Sequence, residues 1–260
     1  MLYIIGGASL AISRLPRFER HRGVLLGAAF AAVLAGFVFH AQSLMARILV
    51  PAGLQLSLAD SASFVGLLLA LIAAIGATNA RLRGLAGGLL LLAAVAAMAT
   101  GGATAGAHIA SGWQLQAHIL ISLVAYGLLA VGAIVALFAL VQDRRLRTGK
   151  LSSLNNLFAP LETTERLLFG VAAAGFATLL LGVLSGFLFV QNLFAQHLVH
   201  KTALSLLALL LFGILLAGRQ FAGWRGRTAV SLYLWGFGVL CLAYFGSRYI
   251  LENLLGRSWG

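Results

Sequence analysis

The stretch Ala117–Val141, AHILISLVAYGLLAVGAIVALFALV, runs 25 residues without one Asp, Glu, Lys or Arg. A helix needs about 20 such residues to cross the roughly 30 Å of hydrocarbon in a bilayer. A soluble protein would have to wrap this helix in other material, and the rest of the chain is just as apolar. Of its 260 residues 61% are hydrophobic and 9% are charged, where a soluble domain carries about 25% charged residues. The mean hydropathy is +1.00. So apolar a chain cannot cover itself with a polar surface, and its solvent is lipid. Ala117–Val141 is therefore read as a membrane span.

Working outward, runs of similar character occur at Gly23–Met45, Ser61–Asn79, Leu85–Thr104, Leu167–Leu193, Val199–Ala217 and Ala229–Ile250. Leu2–Ser13 is a shorter eighth candidate, about 18 Å of helix at 1.5 Å per residue. It is either completed by Arg14–Pro16 or preceded by an upstream start of translation. No basic segment comes before it and Arg14, Arg17, Arg20 and Arg22 follow it, so it reads as an anchor that stays. The expectation is an all-α polytopic membrane helix bundle of about eight transmembrane helices, one transmembrane domain over residues 1–260 with no separate soluble domain.

Orientation comes from alternate connections. One set holds Arg14, Arg17, Arg20, Arg22, Arg81, Arg83, Arg144, Arg145, Arg147, Lys150, Arg166, Arg219, Arg225 and Arg227; the other holds only Arg47, Lys201, Arg248 and Arg257. Short cytoplasmic loops collect Lys and Arg, so the richer set faces the cytoplasm and both termini lie outside. The net charge of +12 is then a topology signal. With no basic stretch interleaved with exposed aromatics, no nucleic acid is expected as a partner. The longest connection, Gln142–Glu165, is cytoplasmic. Its SLNNLFAPLETTER fits a short amphipathic helix, a turn and a capped helix start, with Thr163 or Thr164 as N-cap.

On this topology five of the six histidines fall on or near the outer face: His40 in the outer third of its span, His108 in an outer loop, His118 at the head of Ala117–Val141, and His197 and His200 before the seventh span. His21 is a solvated loop residue. Histidine in a membrane points into the bundle or towards water, and it is a standard axial ligand for haem iron. His118, His200 and His40 are open to two readings, as ligands or as hydrogen-bond partners of a neighbouring helix. Trp113 shares the segment of His108 and His118 and offers a flat ring to an interface or a porphyrin. The five together favour a cofactor or proton-handling site without choosing between haem, quinone and a metal ion.

Other chemistry is poorly served. Cys241 alone excludes an internal disulfide and any Cys-based zinc or iron–sulfur site. Nucleophile-elbow, zincin and phosphate-loop motifs are missing. Only Asp60 among the six acids falls outside near a span, which argues against paired-carboxylate catalysis and a cation filter. Pairs such as Gly182/Gly186 and Gly84/Gly88 allow close helix packing.

Two stretches carry a family resemblance. His118–Leu129, HILISLVAYGLL, opens a span from the outside with histidine and places Tyr126 two turns later; Gly223–Gly226, GWRG, makes a cytoplasmic turn before a span ending in LAYFGSR, Leu242–Arg248. From about Gly23 on, the chain resembles the cytochrome c assembly protein family of the CcsA type, closest to its small HemX-like/YpjD-like inner-membrane branch. The resemblance implies haem handling at the outer face of a bacterial inner membrane. His118 matches the family's first external histidine. Gly186–Ser205 stands at the tryptophan-rich WWD segment, where the tryptophans are absent and Lys201 alone matches. The second external histidine, due near Arg248–Leu254, and the inner histidine, due near Gly218–Gln220, are missing. The resemblance therefore implies a modified site, with His118 and His200 on the haem iron, His40 as an alternative ligand, and Tyr126, Trp113 and Lys201 lining it.

The leading expectation is a haem-binding or haem-handling membrane protein related to cytochrome c biogenesis factors, without enzymatic turnover. A regulatory or assembly partner of another inner-membrane protein or haem-synthesis system, contacting through residues 142–165, is the second. A small transporter of a lipid-soluble molecule is the third, with no clear inverted repeat or broken helix to support it.

Overall fold

The computed structural model describes residues 1–98, 108–147, 160–189 and 196–246. Its elements are the eight helices α1 Leu2–Ile12, α2 Arg22–Ile48, α3 Leu58–Thr78, α4 Arg83–Met98, α5 Trp113–Arg147, α6 Leu161–Phe189, α7 Gln196–Ala222 and α8 Gly226–Cys241. A wide π-type turn, Leu242–Gly246, continues α8. Seven of the helices are long and apolar enough to cross a membrane and α1 is shorter, so the chain folds as an all-α polytopic bundle.

The helix of the opening stretch is the hub. α5 packs against α3, α6 and α8, while α1 lies between α2 and α4. Its most apolar window is 67% buried, the highest share of any span, because small residues such as Ala125, Gly127, Gly132 and Ala136 let other helices approach its axis. Gly132 is the closest approach. A Cβ there would overlap the Tyr233 hydroxyl, which donates to the Leu129 carbonyl at 3.1 Å from a fully buried position. Gly132→Ala is therefore expected to destabilise the bundle. The helix-propensity gain of about 1 kcal/mol is outweighed by overpacking of ~1–3 kcal/mol and the lost Tyr233 bond of ~1 kcal/mol. Thermal unfolding in detergent checks this against Gly27→Ala, where the added Cβ meets nothing within 4 Å.

The sequence reading contained no strands, and the structure adds three short ones at one end of the bundle. β1 Leu49–Val50, β2 Gly53–Leu56 and β3 His108–Ala110 form an antiparallel sheet in the order β1-β2-β3, with Leu49 opposite Leu54 and Leu56 opposite His108. Gly53 turns the hairpin at φ +136, and a side chain there would strike the Ala110 carbonyl. Beneath the sheet, Leu44, Ile48, Leu54, Leu56, Leu67, Ala110 and Leu123 make a separate apolar cap. The sheet ties the connection after α2 to the one before α5, so this end of the bundle has a fixed roof over α2, α3 and α5.

The opposite end gathers the arginine-rich connections. Asp143 pairs with Arg147 at 3.0 Å and Glu162 with Arg166 at 3.0 Å, while the Gly226 amide donates to Glu165 at 2.9 Å. One expectation is corrected here. α6 begins at Leu161, directly after Pro160, so Thr163 and Thr164 lie inside the helix; Thr164 donates its hydroxyl to the Pro160 carbonyl at 3.4 Å instead of capping. Proline lacks the N–H that a helix start would leave unpaired, and it sets the boundary. The proposed amphipathic helix falls on residues 148–159, outside the described residues.

Candidate functional site

α5 starts at the end of the bundle that carries the sheet and holds His118 in its second turn. The helix beside it, α6, presents a strip of small residues, Gly182, Ser185 and Gly186. A Cβ at Gly186 would lie 3.1 Å from His118 Cε1 and one at Gly182 3.3 Å from Ser122 Oγ, so the absence of side chains lets the imidazole lie against α6. There His118 Nδ1 meets Ser185 Oγ at 2.9 Å, and Ser185 Oγ donates its own proton to the Gly182 carbonyl at 2.8 Å. A hydroxyl has one proton to give. Ser185 must then accept from the ring, and neutral His118 carries its hydrogen on Nδ1. Nε2 is left as the nitrogen with the lone pair.

Lys201 lies on α7, half-buried and close enough for its charge to act on His118. His200, its neighbour in sequence, is exposed; one helical residue, about 100° of rotation, separates the two directions. Trp113 is 67% exposed at the mouth of α5 and its ring tilts over Phe189 with centroids 5.8 Å apart. Tyr126 lies about 12 Å deeper than His118 along α5. It is buried, donates to the Leu240 carbonyl at 2.8 Å and packs on Tyr244 and Phe245. The structure thus brings His118, Ser185 and Lys201 together, with Trp113 at the rim and Tyr126 beneath.

His40 belongs to a different constellation. Its ring is buried among α1, α2 and α3, with Nε2 2.7 Å from Ser63 Oγ and Nδ1 3.2 Å from the Tyr3 hydroxyl. Both nitrogens are engaged, so the interhelical hydrogen bond is the reading the structure supplies. The side chains of His108 and His197, and the whole of Arg248–Leu254, lie outside the described residues.

A buried polar network nearby was not anticipated. Asp60 closes a capping box on α3: Ser57 donates its amide and hydroxyl to Oδ2 at 3.1 and 2.5 Å, and the Asp60 amide donates to Ser57 Oγ at 3.1 Å. Its other oxygen faces Arg47 Nη2 at 3.1 Å. Ser61 donates to the Ser57 carbonyl at 3.0 Å and so accepts from the Tyr244 phenol at 2.8 Å. One continuous set of contacts runs from the end of α2 through the start of α3 to the π-type turn, and Tyr244 then touches the Tyr126 ring. S-x-x-D at Ser57–Asp60 is a readable capping signature; the partners Arg47 and Tyr244 are set by the fold alone.

The family model described as Cytochrome C assembly protein matches residues 21–255. The chain belongs to that family. Inner membrane protein YpjD of Escherichia coli K12 is 32% identical over 257 residues, covering 95% of this chain and 94% of the relative. An uncharacterized 28.8 kDa protein in nifR3-like 5'region of Azospirillum brasilense is 30% identical over 149 residues, 56% of this chain and 55% of its own length. No solved structure matches. The chain is thus a multi-pass inner-membrane protein related to cytochrome c biogenesis, and the small YpjD-like branch is where it sits.

Proposed function

We propose that this protein binds haem at its outer face, with His118 Nε2 as an iron ligand, and holds it without chemical turnover. The observation that carries this reading is the Gly182–Ser185–His118 relay. Metal-binding histidines donate their second ring N–H to an oxygen that fixes tautomer and orientation, and Ser185 does this for His118. No group of three or more His, Cys, Asp and Glu side chains that could hold a bare metal ion occurs among the described residues. Haem brings four of its ligands itself and asks the protein only for axial ones, so the donor set fits the porphyrin better than a free ion. Lys201 is a cation beside the ligand, suited to a propionate, and Trp113 offers a flat exposed ring. His200, exposed on α7 beside Lys201, would be the second ligand to test; His40 would first have to give up Ser63 or Tyr3.

Titrating the detergent-purified protein with haemin tests the reading, with a Soret band expected; a protein that stays colourless sinks it. Ser185→Ala removes the oxygen that orients His118 without removing the ligand. Haem affinity is expected to fall by ~10–100-fold with thermal stability nearly unchanged, read from the same titration.

A second reading, a regulatory or assembly partner, is favoured by one feature. At the arginine-rich end α5, α6 and α8 leave a shallow apolar cleft lined by Leu161, Leu168, Phe169 and Val230, with Asp143, Glu165 and Arg227 among its residues. It adjoins the connection expected to contact another inner-membrane protein. Photocrosslinking from position 161 distinguishes the two readings: capture of one defined protein, indifferent to loss of His118, favours the partner.

A further inference from the structure

At the end of the bundle opposite His118, three arginines from separate connections meet. Arg14 follows α1, Arg22 opens α2 and Arg83 opens α4. Arg14 Nη1 donates to the Ala80 carbonyl, which places its guanidinium at the turn leading into Arg83. Arg22 Nε donates to the Ser13 carbonyl at 3.2 Å, beside Arg14 itself. Arg83 Nε donates to the Ala77 carbonyl at 3.2 Å. Each cation thus holds a carbonyl at the end of α1, of α3 or of the turn after it, where the helix dipole favours positive charge. Each does so with one of the five N–H groups a guanidinium carries.

These charges are poorly compensated. Partial burial, followed by the charges of Arg83 and Arg22, lowers the Arg14 guanidinium below its ordinary value. Among the described residues the one carboxylate paired with these arginines is Glu19, 3.6 Å from Arg22 and with its side chain 73% exposed. Asp60 is at the other end of the bundle, and Asp143, Glu162 and Glu165 belong to the α5–α6 side. Neither α2 nor α4 has an acidic residue in its first turn, and α2 lacks a side-chain cap. The guanidiniums hang from carbonyls at the ends of apolar helices and of the turn between two of them, where a bilayer's headgroups would lie if these helices span it. Capping carbonyls accounts for one donor on each arginine; it leaves three like charges gathered with spare donors.

We propose that Arg14, Arg22 and Arg83 form a binding site for a phosphate group, supplied by the headgroup of an anionic phospholipid in the cytoplasmic leaflet. The planar fork of arginine matches phosphate oxygens two at a time, and one bound phosphate relieves the mutual repulsion of the three cations.

Native mass spectrometry of the full-length protein, given phosphatidylglycerol or phosphatidylcholine, tests this. Wild type is expected to keep phosphatidylglycerol in preference, and Arg14→Gln/Arg83→Gln to lose that preference by about tenfold, equivalent to 1.4 kcal/mol. Arg166→Gln/Arg225→Gln, at the other side of the cytoplasmic end, should behave as wild type. Phosphatidylglycerol should raise the unfolding temperature of wild type and not of the Arg14/Arg83 variant. If inorganic phosphate alone gives the same rise, the phosphate site stands and its source is soluble. Should the glutamine variant not fold, Arg14→Lys/Arg83→Lys keeps charge and topology while losing the fork, and a weakened preference is expected there too. Undiminished phosphatidylglycerol retention by the folded Arg14/Arg83 variants, or an equal loss in Arg166→Gln/Arg225→Gln, overturns the proposal.

Discussion

Asp60→Ala is expected to cost the protein about 4 kcal/mol and to loosen the whole sheet-bearing end. Removing one partner of a buried ion pair leaves the other uncompensated, typically at ~3–5 kcal/mol. The Asp60 side chain is 3% exposed and that of Arg47 26%, so Arg47 can partly snorkel towards the headgroups and the low end of the range applies. The change also deletes the α3 capping box, ~1 kcal/mol of helix stability, and orphans the Ser57 amide. Asp60→Asn keeps an acceptor for the cap while dropping the charge and should cost less. Arg47→Ala/Asp60→Ala should recover part of the loss, since the two residues are in contact and their effects are not additive. Unfolding in detergent, by heat or denaturant, reads all three variants against wild type. A loss for Asp60→Ala within ~0.5 kcal/mol, the range of ordinary surface changes, would show that the ion pair holds nothing together.

The network's reach makes this more than a stability matter. Asp60 holds Ser57, Ser57 holds Ser61, and Ser61 holds Tyr244 in the π-type turn. Tyr244 lies against Tyr126, with ring centroids 5.8 Å apart, and Tyr126 stands beneath His118 on α5. A disordered start of α3 therefore reaches the floor of the candidate site through direct contacts.

What the sequence made legible follows from what it encodes locally. Bilayer thickness imposes a length on every span, and arginine placement groups the connections, so the eight helices and the place of His118 at the end opposite the arginine-rich connections could be read without a structure. Lateral neighbours could not. Gly182 and Gly186 were readable as a close-packing pair, yet only the fold shows that the space at Gly186 is occupied by the His118 ring. Ser185 carries no signal of its own, because a serine in an apolar helix bonds its own backbone as readily as another side chain. His200 and Lys201 illustrate a second limit. α7 is apolar nearly all round, so periodicity does not fix which face turns inward, and the residue the fold brings towards His118 is the lysine. His40 shows a third: its depth was legible, and its two bonds to Tyr3 and Ser63 depend on α1 and α3 packing against α2.

His118→Ala is the substitution expected to change function most: loss of the Soret band, or at least a ~100-fold drop in haemin affinity, beyond the range associated with second-layer residues such as Ser185. Comparison with three further variants separates a ligand from a structural histidine. His40→Ala should leave haem binding nearly intact and lower the unfolding temperature, since it strips partners from buried Tyr3 and Ser63. Lys201→Ala should weaken binding moderately without changing band positions, as loss of a propionate contact does. His200→Ala addresses the second axial position. If His200 completes the iron's coordination, its removal leaves an open site and shifts the spectrum from six-coordinate to five-coordinate while haem stays bound. If His200 is a bystander, the spectrum is unchanged and the second ligand lies elsewhere. An undiminished Soret band in His118→Ala defeats the assignment whatever the others show, because the Gly182–Ser185 relay orients no other nitrogen.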